Sequence, residues 1–516
     1  MPPPTHRRRR RRKKKRKGKT SSVNIRTASQ LVRADTRGES ETREFFDKEL
    51  TGFSIDSRTV AEGELFFALS PEDYRRHFFT ATSFDDGHRF IPAAFARGAA
   101  AVVARRERVE ADAELRAFGD RLLLVDDAID ALQRIAHGAL AAWGGVVVAL
   151  TGSAGKTTAK DLTAHVLAAT GRRVLKTQKN FNNELGLALS ILRMESAGAR
   201  ASDFDVAVLE MGQSMFGEIE RLARVAPPDI AVELNVAPVH LEFFDSVDHI
   251  AAGKAQLVEN LKPGGTAILN ADDARVAAMR GKHAGRTLTF GLENAADVSA
   301  REIESARFGL SRFRLLTPRG EADSQLRLPG RHNLLNALAA AAVATCFEIA
   351  PEEIARALGS ATASEMRGQV IEFAAGFSVI DDSYNSNPRS LLSMARSVAE
   401  AGDEGADRPR RKFVVAGEML ELGETGAELH AQAGREIARM GVDVLWGVRG
   451  LAAELVAGAR EAGMTAARFF ATTDEAAAAL IEEVRAGDLL LVKGSRGVHT
   501  ERIIEALREQ YEVSDG

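Results

Sequence analysis

One stretch constrains this chain more than any other: Val146 to Asp161, reading VVVALTGSAGKTTAKD. A run of β-branched and apolar residues (Val146, Val147, Val148, Ala149, Leu150) ends in a glycine-punctuated turn that opens straight into a helix-forming segment. Strand, glycine loop, helix is the arrangement that turns free backbone N–H groups and the positive end of a helix toward a phosphate. Gly152, Ser153, Ala154, Gly155, Lys156, Thr157 and Thr158 form that loop. Lys156 is set to reach the β- and γ-phosphates, and the Thr157 hydroxyl to ligate Mg²⁺. The spacing departs from the usual GxxxxGK[ST] in one place, because Leu150 stands where the first glycine would be. The stretch predicts a nucleoside triphosphate site; its bland alternative is a glycine-rich turn with an incidental lysine.

With 516 residues the chain has room for about three domains. Hydrophobic content of 45% and charged content of 27% are those of an ordinary globular protein. The single cysteine, Cys346, excludes an intrachain disulfide and fits a reducing compartment. No apolar run reaches the roughly 18 residues of a spanning helix. A cytoplasmic protein with no membrane span is therefore expected. The first 22 residues stand apart. Arg7 to Lys17 is unbroken basic sequence, Lys19 adds one more charge, and no apolar signal region accompanies them. Without those charges the formal net charge of −3 becomes about −15 on the remainder. Such a block is expected to be a disordered polybasic tail over 1–22. It could touch nucleic acid or an anionic membrane surface, or be irrelevant to catalysis. The acidic remainder argues against a nucleic-acid-binding core, so no nucleic acid is required.

Three α/β units follow. Residues 23–143 read as a small N-terminal α/β domain, with a polar turn at Asp56, Ser57 and Arg58 before an apolar strand, Leu65 to Leu69. Ala93, Ala94 and Phe95 with Ala99 to Val103 read as a helix feeding a buried strand. Residues 144–362 alternate strand-like runs (Val174 to Leu175, Asp205 to Leu209, Ile230 to Leu234, Thr266 to Leu269) with helix-like ones (Ala159 to Ala169, Gly217 to Val225, Ile250 to Asn260). That rhythm predicts a doubly wound parallel sheet. Pro329 to Asn336 is read as leading into an alanine-rich helix, Ala337 to Ala344. Residues 363–516 repeat the rhythm in a Rossmann-like C-terminal domain, with strands at Phe377 to Ile380, Phe413 to Ala416, Val444 to Trp446 and Leu489 to Val492. No GxGxxG follows its first strand, so rhythm alone does not make it a cofactor domain.

Open α/β sheets keep their ligands at the carboxyl ends of strands. Glu210 ends the run Val206-Ala-Val-Leu-Glu210 and suits a carboxylate holding Mg²⁺ on nucleotide phosphates. His240 lies just past the Ile230 to Leu234 strand, and Lys254 sits on the helix that follows. Alone, each is more often a structural or solvated residue than a ligand. Asn182 and Asn183 supply neutral amides after a strand, suited to phosphate or sugar recognition or, in the case of Asn183, to capping a helix.

In series these motifs resemble one family, the ATP-dependent Mur ligases of peptidoglycan synthesis. The matching pieces are Gly152 to Thr158, Asn182-Asn183, Glu210-Met-Gly212, Ala237-Pro-Val-His240-Leu-Glu242, Lys254, Gly330-Arg-His-Asn-Leu-Leu-Asn336, Arg367 and Asp382-Ser-Tyr-Asn-Ser-Asn-Pro388. They run in order over about residues 50–508. Within the family the likeness is to the D-alanyl-D-alanine-adding branch, through Tyr384-Asn-Ser-Asn-Pro388, Val415-Ala-Gly-Glu-Met-Leu-Glu-Leu-Gly423 and Val492-Lys-Gly-Ser-Arg-Gly497. Glu418 stands where that branch more often has Asp.

The resemblance implies an ATP- and Mg²⁺-dependent ligase, acting as a monomer on UDP-N-acetylmuramoyl-tripeptide and D-alanyl-D-alanine through an acyl phosphate. It implies catalytic roles for Lys156, Glu210, His240, Lys254 and Arg367, with ATP contacts from the loop and from Asn336, Arg367, Asp382, Tyr384 and Asn385. Metal ligands would be Thr157, Glu210, His240 and, if carbamylated, Lys254. Substrate contacts would come from Asp56, Ser57 and Arg58 on the uridine side, from Asn182 and Asn183, and from Lys493, Ser495 and Arg496 near the peptide ends. Rival readings are another amide ligase of the superfamily, such as a folylpolyglutamate or cyanophycin synthetase type, and a non-catalytic nucleotide- or nucleic-acid-binding module.

Overall fold

A computed structural model describes residues 23–34, 43–79, 85–238, 242–307, 309–402 and 410–514. The basic run 7–17, Lys19 and His240 lie outside them. Among the described residues no helix is long and apolar enough to cross a membrane.

The described residues form three sheets. The N-terminal sheet has four parallel strands in chain order, Phe53–Ser54, Leu65–Phe67, Ala101–Arg105 and Leu122–Val125. Its last strand leads into helix Ala128–Trp143, which Asp127 starts by accepting the Ile129 and Asp130 N–H groups, and Gly144 ends in the left-handed region at φ 68°. One face of this helix packs on the N-terminal sheet and the other on helix Glu184–Leu192. Leu65, Val103, Leu132, Ala149, Leu187 and Leu209 therefore belong to one continuous apolar core that joins the first two units.

The central sheet has nine strands. In spatial order they are Gly320–Leu326, Leu310–Thr317, Val298–Arg307, Arg286–Gly291, Thr266–Asn270, Ile230–Glu233, Val146–Thr151, Val206–Glu210 and Val174–Lys176. The phosphate-loop strand Val146–Thr151 lies in the parallel part, with Val206–Glu210 on one side and Ile230–Glu233 on the other. The expected doubly wound sheet is thus present, and it extends further than the apolar runs indicate. Val298–Arg307, Leu310–Thr317 and Gly320–Leu326 add an antiparallel arm at one edge. Arg312 and Arg314 break the apolar run there, with only Phe313 and Leu315 of the middle strand buried inward. A second difference concerns the alanine-rich helix. It spans Arg331–Cys346, so the Gly330-Arg-His-Asn-Leu-Leu-Asn336 segment forms its first turns and is not a lead-in. Residues Ala337 to Ala344 are buried all round against the sheet and helix Lys156–Ala169, the pattern of an internal helix.

The C-terminal sheet has six strands in the order Gln369–Glu372, Ser378–Asp382, Leu489–Lys493, Lys412–Gly417, Val444–Val448 and Ala467–Phe470. All pairs are parallel except the edge pair of Gln369–Glu372 with Ser378–Asp382. Helices on both faces give this sheet two apolar cores of its own. Strands Ser378–Asp382 and Leu489–Lys493 end side by side, with Asp382 opposite Lys493.

Candidate active site

The phosphate loop is held by one asparagine. Asn235, just past strand Ile230–Glu233, accepts the Ala154 N–H on Oδ1 and donates from Nδ2 to the Ala154 carbonyl, both at 2.9 Å. Its own carbonyl accepts the Ser153 N–H, also at 2.9 Å. Ser153 Oγ donates to the Ala237 carbonyl and accepts the Ala237 N–H. Gly155 takes φ +82°, and a Cβ there would sit 2.5 Å from Asn336 Oδ1, so both conformation and space call for glycine. Helix Lys156–Ala169 begins at once. The N–H groups of its first turn have no intrahelical partner and face a cavity of about 510 Å³. Lys156 Nζ donates to the Gly152 carbonyl at 2.8 Å. Burial pushes its ammonium below the ordinary lysine range, with the Glu210 charge working the other way.

The cavity lies between the carboxyl ends of the central and C-terminal sheets. The central sheet contributes the loop, Asn180, Asn182, Asn183, Glu210, Gln213 and Glu218; Asn270, Phe290, His332 and Leu335 form a more apolar end; Arg367, Asp382, Tyr384, Asn385 and Lys493 face them from the C-terminal unit. Direct contacts tie the two units together. Arg367 Nη2 approaches Thr157 Oγ1 at 3.4 Å, Ser364 Oγ donates to Asp161 at 2.7 Å, and His332 Nδ1 meets Ser393 Oγ at 2.9 Å. Burial pushes His332 down to about 4, which keeps this ring neutral.

Glu210 is 1% exposed. Its Oε1 accepts from Asn182 Nδ2 at 2.7 Å. Its Oε2 has no hydrogen-bond partner among the described residues, and Lys160 Nζ stands off at 3.8 Å. A buried carboxylate oxygen without a partner is costly unless something cationic completes it. Among the described residues no three His, Cys, Asp or Glu side chains converge as a ready-made metal cage. A site of one carboxylate, one hydroxyl and substrate phosphates is the kind Mg²⁺ uses, and Glu210 with Thr157 fits it. Lys254 is 1% exposed on helix Val247–Glu259. Burial, then the charge of Lys156, pushes its amine down to about 7.

Across the cavity the Arg367 guanidinium lies 3.8 Å over the Tyr384 ring, a stacking that fixes its plane. Lys493, 3% exposed, donates to Asp382 Oδ2 at 2.6 Å and to the Asn385 carbonyl at 2.8 Å. Lys493 is thus engaged with the Asp382 segment. Ser495 is buried beside it and accepts the Leu420 N–H, while Arg496 pairs with Glu501 at 3.0 Å. Neither lines the cavity. Glu418 also lies outside it, with Oε1 accepting the Leu451 N–H. Asp56, Ser57 and Arg58 sit on the N-terminal sheet's first loop, away from the cavity. There Arg58 donates to both oxygens of Asp56 and, through those hydrogen bonds, holds its carboxyl down at about 2. Asn183 caps helix Glu184–Leu192 through the Gly186 N–H at 2.8 Å and also lines the cavity.

Several residues of the site escape a reading of the sequence. Asn235, Asn270 and Phe290 stand at or just past strand ends, a position that could have singled them out. Gln213 and Glu218 flank the loop after Glu210, and Lys160 lies one helical turn beyond Lys156; nothing local marks them.

Known proteins resemble this chain over most of its length. The family description "Mur ligase middle domain" matches residues 150–344, and "Mur ligase, glutamate ligase domain" matches 366–496. The chain belongs to the Mur ligase family. The UDP-N-acetylmuramoyl-tripeptide--D-alanyl-D-alanine ligase of Bacillus subtilis (strain 168) is 32% identical over 460 residues, covering 89% of this chain and 93% of that one. A crystal structure of MurF from Acinetobacter baumannii superposes with a TM-score of 0.81 at 27% identity, covering 95% of this chain and 99% of that one. The MurF ligase of Thermotoga maritima in complex with ADP does so with a TM-score of 0.75 at 28% identity, covering 91% and 99%.

Proposed function

We propose that the chain is an ATP-dependent ligase that joins D-alanyl-D-alanine to UDP-N-acetylmuramoyl-tripeptide, working as a cytoplasmic monomer. The observation that carries this reading is a single cavity holding the phosphate loop, the Glu210 carboxylate with one oxygen left without a hydrogen bond among the described residues, and the Arg367–Tyr384 pair. The activity named for the Bacillus subtilis relative supplies the substrate pair.

The chemistry brings two anions together, the γ-phosphate of ATP and the terminal carboxylate of the tripeptide. Positioning and charge neutralisation are what such a transfer needs. The loop N–H groups, Lys156 and Arg367 supply positive charge from the two sheets. Mg²⁺, when bound, adds neutralisation at the phosphates; Thr157 and Glu210 would hold it, with Asn182 fixing the bonded oxygen of Glu210. His240 and a carbamylated Lys254 would serve a second ion. An amine pushed down to about 7 is about half unprotonated near neutral pH, and the unprotonated form is the one able to add CO₂. Asn336, Asp382 and Asn385 complete the ATP side. Asp56, Ser57 and Arg58 hold the uridine end, and Lys493, Ser495 and Arg496 serve the peptide ends. The carboxylate attacks the γ-phosphorus and ADP departs. The neutral dipeptide amine then attacks the acyl carbon, losing one proton and keeping the other as the amide N–H, and phosphate leaves with the oxygen that bridged carbon and phosphorus. Units 23–143, 144–362 and 363–516 each bring one substrate to this centre.

Phosphate release with ATP, Mg²⁺ and the UDP-tripeptide tests the reading. Release that depends on D-alanyl-D-alanine, with a pentapeptide product by mass, is expected. Release supported by single amino acids instead overturns the substrate assignment.

A further inference from the structure

A buried carboxylate with charged and polar partners on both oxygens lies away from the cavity, where the N-terminal and central units meet. Glu184, 2% exposed, is the first residue of helix Glu184–Leu192. Its Oε1 accepts from Arg221 Nε of helix Glu218–Val225. Its Oε2 meets His77 Nδ1 and accepts from Gln133 Nε2 at 3.0 Å. His77 closes the carboxyl end of helix Pro71–Arg76, and its Nε2 lies 3.2 Å from Asp127, the N-cap of helix Ala128–Trp143. Arg76 stands 3.9 Å from the same Asp127. Four helices from two units converge on one side chain.

Two short paths lead from that side chain to the cavity. Asn183 and Asn182 directly precede Glu184; Asn183 caps its helix and Asn182 holds Glu210 Oε1. The carbonyl of Asn182 also accepts the Gly212 N–H at 2.8 Å. On the other path, the helix of Arg221 begins at Glu218, which lines the cavity and accepts the Ser214 N–H at 2.7 Å.

We propose that Glu184, clamped by His77 and Arg221, is a positioning hub that couples the N-terminal unit to the Asn182–Glu210 pair at the reaction centre. An imidazolium between two carboxylates supplies the clamp's charge. The groups facing His77 are Asp127, Glu184, Gln133 and Arg76, with Arg221 behind Glu184. Burial works against the charged ring, yet the hydrogen bonds with Asp127 and Glu184 outweigh it and push His77 up to about 9. A raised value means the clamp is complete below 6.5 and is lost as pH rises through about 9.

The catalytic readout rests on the ligase reading; the structural one does not. Hydrogen exchange of residues 180–187 in the free protein is measured for wild type, His77→Gln, Glu184→Gln and the surface control Arg75→Ala, whose side chain pairs with Glu72 outside the clamp. Faster exchange is expected in the first two variants alone. Wild-type exchange, corrected for intrinsic rate, should rise toward that of His77→Gln above about pH 9. In ligation, kcat should fall roughly threefold to thirtyfold and the Mg²⁺ concentration for half-maximal rate should rise, with partial rescue by His77→Lys. Unchanged exchange in His77→Gln and Glu184→Gln, or exchange that changes with no effect on kcat or Mg²⁺ dependence, overturns the hub. Absence of wild-type ligation strikes the ligase reading instead and leaves the exchange test standing.

Discussion

Glu210 and Glu233 close neighbouring strands on either side of the phosphate-loop strand, opposite Leu150 and Thr151 respectively. Side chains alternate along a strand, and the two acids leave on different faces. Glu210 follows Val206 and Val208 toward helix Lys156–Ala169, opens on the cavity and has Asn182 to hold one oxygen. Glu233 follows Ala231 to the other face, is wholly buried and has no hydrogen-bond partner for either oxygen among the described residues. Burial raises its carboxyl well above the ordinary range, although the Lys254 charge works to lower it. Two glutamates at equivalent strand ends thus have different surroundings. One is held by Asn182 and opens on the cavity, the other is sealed from solvent with its carboxyl pushed up by burial. Chain position selects a candidate; the side of the sheet and one amide decide what it can do.

Lys156 stands between the two: the Glu210 charge acts on it, and its own charge acts on Lys254, the lysine that in turn acts on Glu233. Lys156→Ala should give the largest effect, a loss of kcat of about 10³-fold with folding intact by circular dichroism. Glu210→Gln keeps the shape and removes the charge. A loss of roughly 10²-fold in kcat is expected, with saturation by Mg²⁺ displaced to higher concentration. Glu233→Gln should sharpen the contrast by doing little, with kcat within about twofold of wild type. Its signature is in stability. An acid whose folded value is raised binds its proton more tightly in the folded state, so wild-type stability falls as pH rises above 4.5 toward that value. Melting curves from pH 5 to 8 should decline less for Glu233→Gln than for wild type. Asn183→Ala, which removes the helix cap beside Asn182, should cost about 1 kcal/mol in denaturant unfolding. Removing residues 1–20 should leave turnover at saturating substrate unchanged.

How much of this was legible follows from how local each cause is. The phosphate loop is written in consecutive residues, and the parallel strands are written as short apolar runs, because both faces of those strands are covered. The antiparallel arm was not legible, since Arg301, Glu302, Glu304, Arg312 and Arg314 leave too little apolar alternation. The start of helix Arg331–Cys346 was misread because Arg331, His332 and Asn333 look like loop. Gly330 sets the start at φ +95°, and Asn333 Nδ2 returns to the Pro329 carbonyl, so the polar segment is spent on the helix itself. The Glu184 hub was beyond reach. His77, Asp127, Gln133, Glu184 and Arg221 are scattered through the chain, and only the packing of helix Ala128–Trp143 between two units brings them together.

Transfer of an oxygen isotope tests the central claim most directly. The UDP-tripeptide is labelled with ¹⁸O in its terminal carboxylate and turned over with ATP, Mg²⁺ and D-alanyl-D-alanine. Carboxylate attack on the γ-phosphate predicts that the bridging oxygen leaves with phosphorus, so released phosphate carries one ¹⁸O and the amide keeps the other. Phosphate free of label, alongside a labelled product, would contradict activation of the tripeptide carboxylate in this cavity.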